Sequence, residues 1–552
     1  MASCAANDSV SSPSFYSADS SSSLDSSVFS SLASDYDCSL SDMVSQSENL
    51  LGDERIVAGA LIEGRLRGDG YIKPITHRRA EVMTRVLHAE RDFWWCPSYE
   101  DAVATNEAIS QQDFDGLYEA DISSRTELES YLARKGYTLK ESVVVSEYYS
   151  DPSELAIDVR YFGASGIFPA TMNRGLFIKD RKGNLRGDLA SSFTVISPRE
   201  MEITLAEGFW HKGNGEISGE ISAQNFLDAY TYARSNLSRY YPFVTDIKAK
   251  DDRTLIVTVT NNVAAVPSVL FEMMNYPFFA PVDPSGQVSE ELLYSGHYSY
   301  EIVDGTYILD ALDEGVAPRI EIRGDISSAE AFLSGSLDFV KLSKNDDGFP
   351  SVFASTGRVC AAVINPRCEV GDERYQRAIG NLHFRRAIMG ALKRGDLVAV
   401  ADPNGIKFST LSTNKDWKSP SDVPLFGVTA EAGMTYGEIS DKYAQEDETN
   451  AFILQELEQA KSELGEEFFA TPVLLPLCWS DWLNADFALA VIEALKVFAD
   501  GMVEIVHQEP SYDFFYQTDY VSKKSFIYLF DTTTQDPILL GEDLLKLIIP
   551  GM

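Results

Sequence analysis

The residues able to do chemistry are present in this chain, but few of them sit at spacings that chemistry requires. The six histidines, at 77, 88, 211, 297, 383 and 507, are scattered singly, and none has a second ligand at metal-binding spacing. The six cysteines, at 4, 38, 96, 360, 368 and 478, contain no C-x-x-C pair. A zinc site or disulfide framework is therefore not expected, and Cys360 and Cys368 read as buried thiols. Neither a phosphate loop, an H-E-x-x-H helix nor a G-x-S-x-G elbow occurs. Gly213-Asn214-Gly215 with Gly219 lacks the spacing of a dinucleotide loop. The sequence thus implies no metal and no cofactor, and carries no positive sign of an enzyme.

One region does place polar groups by topology. Pro472–Cys478 is an apolar run, Asn484–Ala499 is a periodic helix stopped by Gly501, and Met502–His507 and Ser525–Phe530 read as strands. Strand–helix–strand order predicts a parallel unit, because parallel strands need a crossover. Ligands in such sheets sit beyond the carboxyl ends of the strands. Trp479 and Asp481 follow the first strand and Asp531 follows the last, which puts an aromatic ring and carboxylates at one rim.

The elements that would position these groups fill a long chain. At 552 residues the sequence predicts more than one core. Its 84 acidic against 46 basic residues, a net charge of -38, disfavour nucleic acid and anionic membrane as partners. No run of 18 or more apolar residues occurs, so no membrane-spanning helix is expected. Residues 1–50 read as a disordered Ser-rich tail. Ala2-Ser3-Cys4 has the form of a lipoprotein processing site, making Cys4 a lipidation candidate if a leader once preceded it. Within 51–140, helices are predicted over Arg78–Trp95 and Thr126–Lys135, the latter ending at Gly136. His77-Arg78-Arg79 reads as a solvated basic helix start. Further strands are predicted at Val143–Val145, Met201–Leu205 and Leu255–Thr260, with a helix over Ser222–Arg234.

From Ser146 onward a series of short motifs resembles the oligopeptide- and dipeptide-binding proteins of ABC importers. The series begins with Ser146-Glu147-Tyr148-Tyr149-Ser150-Asp151-Pro152, then Gly175-Leu176-Phe177, Asp188-Leu189-Ala190, Trp210 and Ile221-Ser222-Ala223-Gln224-Asn225-Phe226. It continues through Asp251–Leu255, Tyr294–Tyr298, Gly335-Ser336-Leu337-Asp338 and Arg385-Arg386-Ala387-Ile388, all in the family's order. The resemblance implies an α/β, two-lobed periplasmic-binding-protein-like fold with hinge-linked lobes. It implies lobe I over 141–345, lobe II over 346–540 and a return segment over 541–552, with the family's C-terminal piece missing and 51–140 as an extra segment.

It further implies a non-enzymatic, monomeric solute-binding subunit outside the cytoplasm, working with an ABC permease. Glu147 and Tyr148 are the implied ligand contacts from lobe I, and Trp479, Asp481 and Asp531 those from lobe II. Asp531 would accept the α-ammonium of a peptide through a charge-assisted hydrogen bond. It stands two residues further from Pro537 than the family's aspartate, which leaves Thr533 in the equivalent place. Other relatives bind nickel chelates, haem or sugars, and some carry a DNA-binding domain ahead of the lobes, so a ligand-sensing regulator is the alternative from another class.

Overall fold

The computed structural model describes residues 39–89, 98–147, 167–259, 293–508 and 527–532, leaving out short stretches within them such as 180–184, 237–243 and 479–484. Two strands of 13 residues each organise it: Ile72–Thr84 and Val352–Ile364, paired antiparallel along their length. They lie side by side in a seven-stranded sheet, with Phe339–Lys341 paired to the end of Ile72–Thr84. In it Val352–Ile364 also pairs antiparallel with Ile527–Thr532, which is parallel to Val473–Cys478, itself parallel to Val503–Gln508. The helix Ala485–Ala499 makes the crossover between the last two, as the strand–helix–strand order predicted.

Side chains alternate across that sheet, so one strand feeds two cores. Cys360, Ala362 and Ile364 face helices Tyr375–Gly380, Leu382–Ala391 and Asn450–Leu464, while Ala361 and Val363 face helices Gly52–Gly68 and Tyr436–Ala444. This is the helix–sheet–helix layering by which a predominantly apolar sheet hides both faces. Cys360 and Cys368 are buried in the first of these cores.

The second half of the molecule is built from smaller sheets. Strands Tyr298–Val303, Thr306–Ala311, Arg319–Arg323 and Ser142–Ser146 form one, closed by a parallel pair. Strands Val244–Asp251, Thr254–Val259, Glu200–Leu205 and Ala190–Ser197 form another, on which helix Ala223–Asn236 packs Phe226 and Tyr230. Leu176, Phe177 and Trp210 of the motif series are buried in that core, so they hold the fold together.

Residues 51–140 are not an appendage. Helix Gly52–Gly68 lies in the large lobe, Ile72–Thr84 crosses between lobes, and the hairpin Val86–His88/Ala102–Ala104 with helix Arg125–Lys135 belongs to the smaller-sheet lobe. A free DNA-binding domain ahead of the lobes is therefore not what this segment forms. The predicted helix over Arg78–Trp95 is replaced, through Thr84, by the crossing strand. Val82, Val86 and Leu87 sit at helix-like intervals only because the turn at Arg85 separates two strands that each bury them. Long-range pairing outweighs local spacing there. The expected tail also ends early: helix Leu40–Ser47 buries Met43 and Val44 in the large lobe. The tail up to residue 38, with Cys4, and the segment 541–552 lie outside the described residues.

Gly52–Gly68 is held against Tyr436–Ala444 by close backbone approach and buried charge. A Cβ on Gly64 would stand 2.7 Å from the Ser440 carbonyl oxygen, so only glycine permits this spacing. Beside it the fully buried Glu63 carboxylate accepts from Leu411 N (3.0 Å), Tyr436 Oη (2.8 Å) and Ser440 Oγ (3.1 Å). Arg67 bridges Glu446 (2.6 Å), Arg394 bridges Glu446 (2.8 Å) and Glu448 (3.0 Å), and Lys73 bridges Glu448 (2.8 Å). Burial pushes Glu63 up to about 7 against the pull of Arg67, and burial with Arg394 pushes Lys73 down to about 8. Burial opposes ionisation of Glu446 too, yet Arg67 and Arg394 hold it down to about 2. Arg385 and Arg386 close the helix's C-terminal end by donating to Asp69 O and Gly68 O.

Candidate functional site

The ribbon of two long strands changes character at its middle. Along Ile72–Thr84 the first five and last three residues are buried, whereas His77 to Glu81 are only half-buried. Ile72 and Ile75 belong to the large lobe's cores and Val82 and Met83 to the other lobe's. Val352 and Ala354 sit in the smaller-sheet lobe, and Cys360 to Ile364 in the large one. The pairing register breaks between these two stretches, with His77 opposite Val359 but Arg79 opposite Ser355. A bulge leaves ladder hydrogen bonds unmade and bends the strand. The chain therefore crosses twice between two cores through a strand pair whose register shifts at the crossing, as it also does between Pro74 and Thr76.

At this crossing His77 Nε2 and Ser355 Oγ share a hydrogen bond of 2.7 Å, and Thr356 Oγ1 donates to Arg78 O at 2.9 Å. The imidazole tilts against Phe408, with ring centres 5.1 Å apart, and Lys415 Nζ lies 5.6 Å from that phenyl centre. Burial, with Arg79 and Lys415 nearby, pushes His77 down to about 4, so it is neutral at physiological pH. Arg79 lies over Phe353 at 5.4 Å and donates to Phe353 O at 2.8 Å. On the smaller-sheet side, Glu81 accepts from Asn345 Nδ2 (2.7 Å) and from Ser351 Oγ. His77-Arg78-Arg79 is thus not a helix start but the middle of the crossing ribbon, a placement that only the long-range partner Val352–Ile364 reveals.

Strand register brings one expected site residue here. Asp531 lies opposite Cys360, which lies opposite Thr76, and Thr532 shares the next rung with Val359 and His77. The carboxyl end of Ile527–Thr532 thus reaches the crossing, with Asp531 inside the strand rather than after it as the sequence suggested. Tyr148, Trp479 and Asp481 lie outside the described residues.

Glu147 is placed differently. It follows Ser142–Ser146 in the smaller-sheet lobe, its N–H donates to Arg323 O at 2.9 Å, and its carboxylate accepts from Ile167 N at the start of helix Ile167–Met172. The helix dipole favours a carboxylate there. Tyr99 is near enough that, after burial, the Glu147 and Asp338 carboxylates are what raise its hydroxyl further above the ordinary range. Glu147 and Asp531 lie in different sheets and no strand pairing joins them.

Among the described residues no group of three or more His, Cys, Asp or Glu is arranged to hold a metal ion, and no helix is long and apolar enough to cross a membrane. No known protein-family profile and no curated protein matches the chain. Several of the solved structures similar to it are peptide-binding proteins. A periplasmic murein tripeptide-binding protein, MppA, in an unliganded open form, has 14% identity and a TM-score of 0.48, over 72% of this chain and 79% of that one. A putative peptide-binding protein, AppA, from Clostridium difficile has 15% identity and a TM-score of 0.45, over 71% and 80%. OppA from Haemophilus influenzae, in complex with the peptide RPPGFSPFR, has 14% identity and a TM-score of 0.39, over 72% and 81%.

Proposed function

We propose that the chain is a non-enzymatic solute-capture protein whose two lobes close about the Ile72–Thr84/Val352–Ile364 ribbon, with a short peptide as cargo and an ABC permease as recipient. The observation that supports capture is the ribbon itself: two chain crossings between separate cores, with a register break and half-buried residues where they cross. Hinge closure of this type buries a ligand between rigid bodies, with the angular change absorbed by a few residues. The ordered motif series from Ser146 to Pro537 supports the cargo and the recipient. An extended peptide presents regular donors and acceptors that fixed polar groups at a sheet rim can pair. Asp531, on the rung beside the crossing, is the proposed acceptor for the peptide's ammonium group. Glu147 holds a helix terminus and is proposed to shape the opposite wall.

The test is isothermal titration of the full chain with a pool of tri- to pentapeptides, paired with small-angle scattering. Heat of binding accompanied by a smaller radius of gyration is expected. Binding of a nickel chelate, haem or sugar with none of the peptides would replace the cargo and keep the hinge. A scattering curve unchanged at saturation would remove the hinge.

A further inference from the structure

The ion network of the large lobe does not balance. Glu63, Asp441, Glu446 and Glu448 bring four carboxylates to it, and Arg67, Arg394 and Lys73 bring three cations. Asp441 and Glu446 meet Arg67 at 2.8 and 2.6 Å, and Glu446 also meets Arg394 at 2.8 Å. Glu448 then joins Arg394 at 3.0 Å to Lys73 at 2.8 Å. Glu63 is the odd carboxylate. Arg67, on its own helix, is 3.9 Å away and already serves two others. From the helix packed against it Tyr436 and Ser440 present hydroxyls, and from the segment before that helix Leu411 presents a backbone N–H. Asp441 and Glu446 act on it through Arg67.

With Glu63 protonated, three carboxylates face three cations. Ionised, it adds a fully buried fourth charge that competes for Arg67. The two hydroxyls can turn from donating to accepting, so the site accommodates both states. Burial raises the carboxyl to about 7, so both states are reached at ordinary pH.

The network grips the root of the crossing ribbon. Lys73 is the second residue of Ile72–Thr84, and Arg394 donates to Pro74 O at 2.6 Å. Glu63 also holds Leu411 N, and three residues earlier Phe408 donates its N–H to Ile75 O at 3.1 Å and packs its ring on His77. Two routes thus lead from Glu63 to the stretch where the register first shifts, between Pro74 and Thr76.

We infer that Glu63 is a proton switch on capture: its protonated form fixes the root of the ribbon and favours the closed, cargo-bound lobes, and its ionised form loosens them. This rests on the capture reading above and adds a regulation to it. Linkage then requires that binding takes up protons and that affinity falls as pH rises through the titration of Glu63. His77, held down to about 4, stays neutral over that range, and Lys73, at about 8, stays mostly charged through its lower part.

The experiment is calorimetric titration of the full chain with a pool of tri- to pentapeptides, in buffers of different ionisation heat. Between about pH 5.5 and about pH 7.5 the wild type is expected to weaken about threefold, with uptake of a fraction of a proton near neutrality. Glu63→Gln should bind at the higher pH as tightly as the wild type does at the lower, without that uptake. Asp441→Asn, at an exposed position, frees Arg67 of one carboxylate and should move the weakening to lower pH. Titrations of the peptides themselves are common to all three proteins. The same pH dependence in the wild type and Glu63→Gln would overturn the switch and leave capture standing, as would an affinity that Glu63 makes rise with pH. Should Glu63→Gln not fold, an unmoved transition in Asp441→Asn overturns it instead. A cargo-free arm separates the two readings: amides of Ile72–Thr84, corrected for intrinsic rate, should exchange faster at the higher pH in the wild type than in Glu63→Gln. Equal exchange refutes the switch whatever the cargo, whereas binding of no peptide at either pH defeats peptide capture alone.

Discussion

Glu63 offers a test of the buried charge network in which the sign and size of the effect follow from its surroundings. Its carboxylate is fully buried, and burial lifts it from the ordinary 4.5 to about 7 even with Arg67 and three hydrogen-bond donors beside it. A group whose folded value is raised contributes stability that is fully present below its unfolded value and is lost as pH rises through the folded one. Between about pH 5 and about pH 8 the wild-type chain should therefore lose about 2–3 kcal/mol through this residue alone, at ~1.4 kcal/mol per tenfold change in proton activity. Glu63→Gln keeps an acceptor for Leu411 N and cannot ionise. Measuring urea unfolding of both proteins at the two pH values cancels every titration they share. The variant should gain on the wild type by about 2–3 kcal/mol on going from the lower to the higher pH. A stability difference that stays constant across that range would refute the reasoning, because it would mean that Glu63 has the same proton affinity folded and unfolded.

Other outcomes follow from the same physical terms. Gly64→Ala places a Cβ 2.7 Å from the Ser440 carbonyl oxygen and 2.9 Å from Tyr443 Cβ, and should cost about 1–3 kcal/mol in a urea melt by forcing helix Gly52–Gly68 away from Tyr436–Ala444. Lys140→Met strands the Asp338 carboxylate, which is fully buried and now bonded to Lys140 Nζ at 2.7 Å and Val144 N at 2.9 Å. A loss of about 3–5 kcal/mol is expected in a urea melt at neutral pH. Asp531→Asn should weaken titrated peptides with free amino termini by about tenfold or more, through about 1.5–3 kcal/mol of lost charged hydrogen bonding, and N-acetylated peptides should not notice the change. Equal affinities in wild type and variant would take Asp531 out of the site.

Much of the fold was legible because its signals are local. Ser142–Ser146, Glu200–Leu205, Thr254–Val259 and the parallel unit from Val473 to Gln508 announce themselves by apolar alternation or apolar runs bounded by turns. Helix Arg125–Lys135 was legible at its end, where Gly136 takes a left-handed φ of 91°, and to within one residue at its start, where the structure adds a Ser124 cap that the sequence reading did not name. The crossing strand was not, because Ile72–Thr84 breaks its alternation where it bulges and carries Lys73, His77, Arg78 and Arg79 in sequence. Its identity depends on a partner far along the chain, information that no window of sequence contains. The same holds for the site. Asp531 was singled out by strand order, a local inference, whereas His77, Ser355, Phe408 and Lys415 come together only through the fold. The helix at Leu40–Ser47 was hidden because its two buried apolar residues, Met43 and Val44, do not outweigh the Ser-rich stretch they end.

The interleaving of the large lobe has a consequence for how the chain is made. Val57, Leu61 and Ile62 find their neighbours in Leu411, Tyr436 and Ile439, and Glu63 and Arg67 find theirs in Ser440 and Glu446. At about 5–20 residues per second, a ribosome finishes helix Gly52–Gly68 some 20–70 seconds before the residues that cover it. During that wait an apolar face and two ions destined for burial stand in water. Such a segment is a natural client for a holding chaperone, and its late docking would be the step that commits the lobe to its native form.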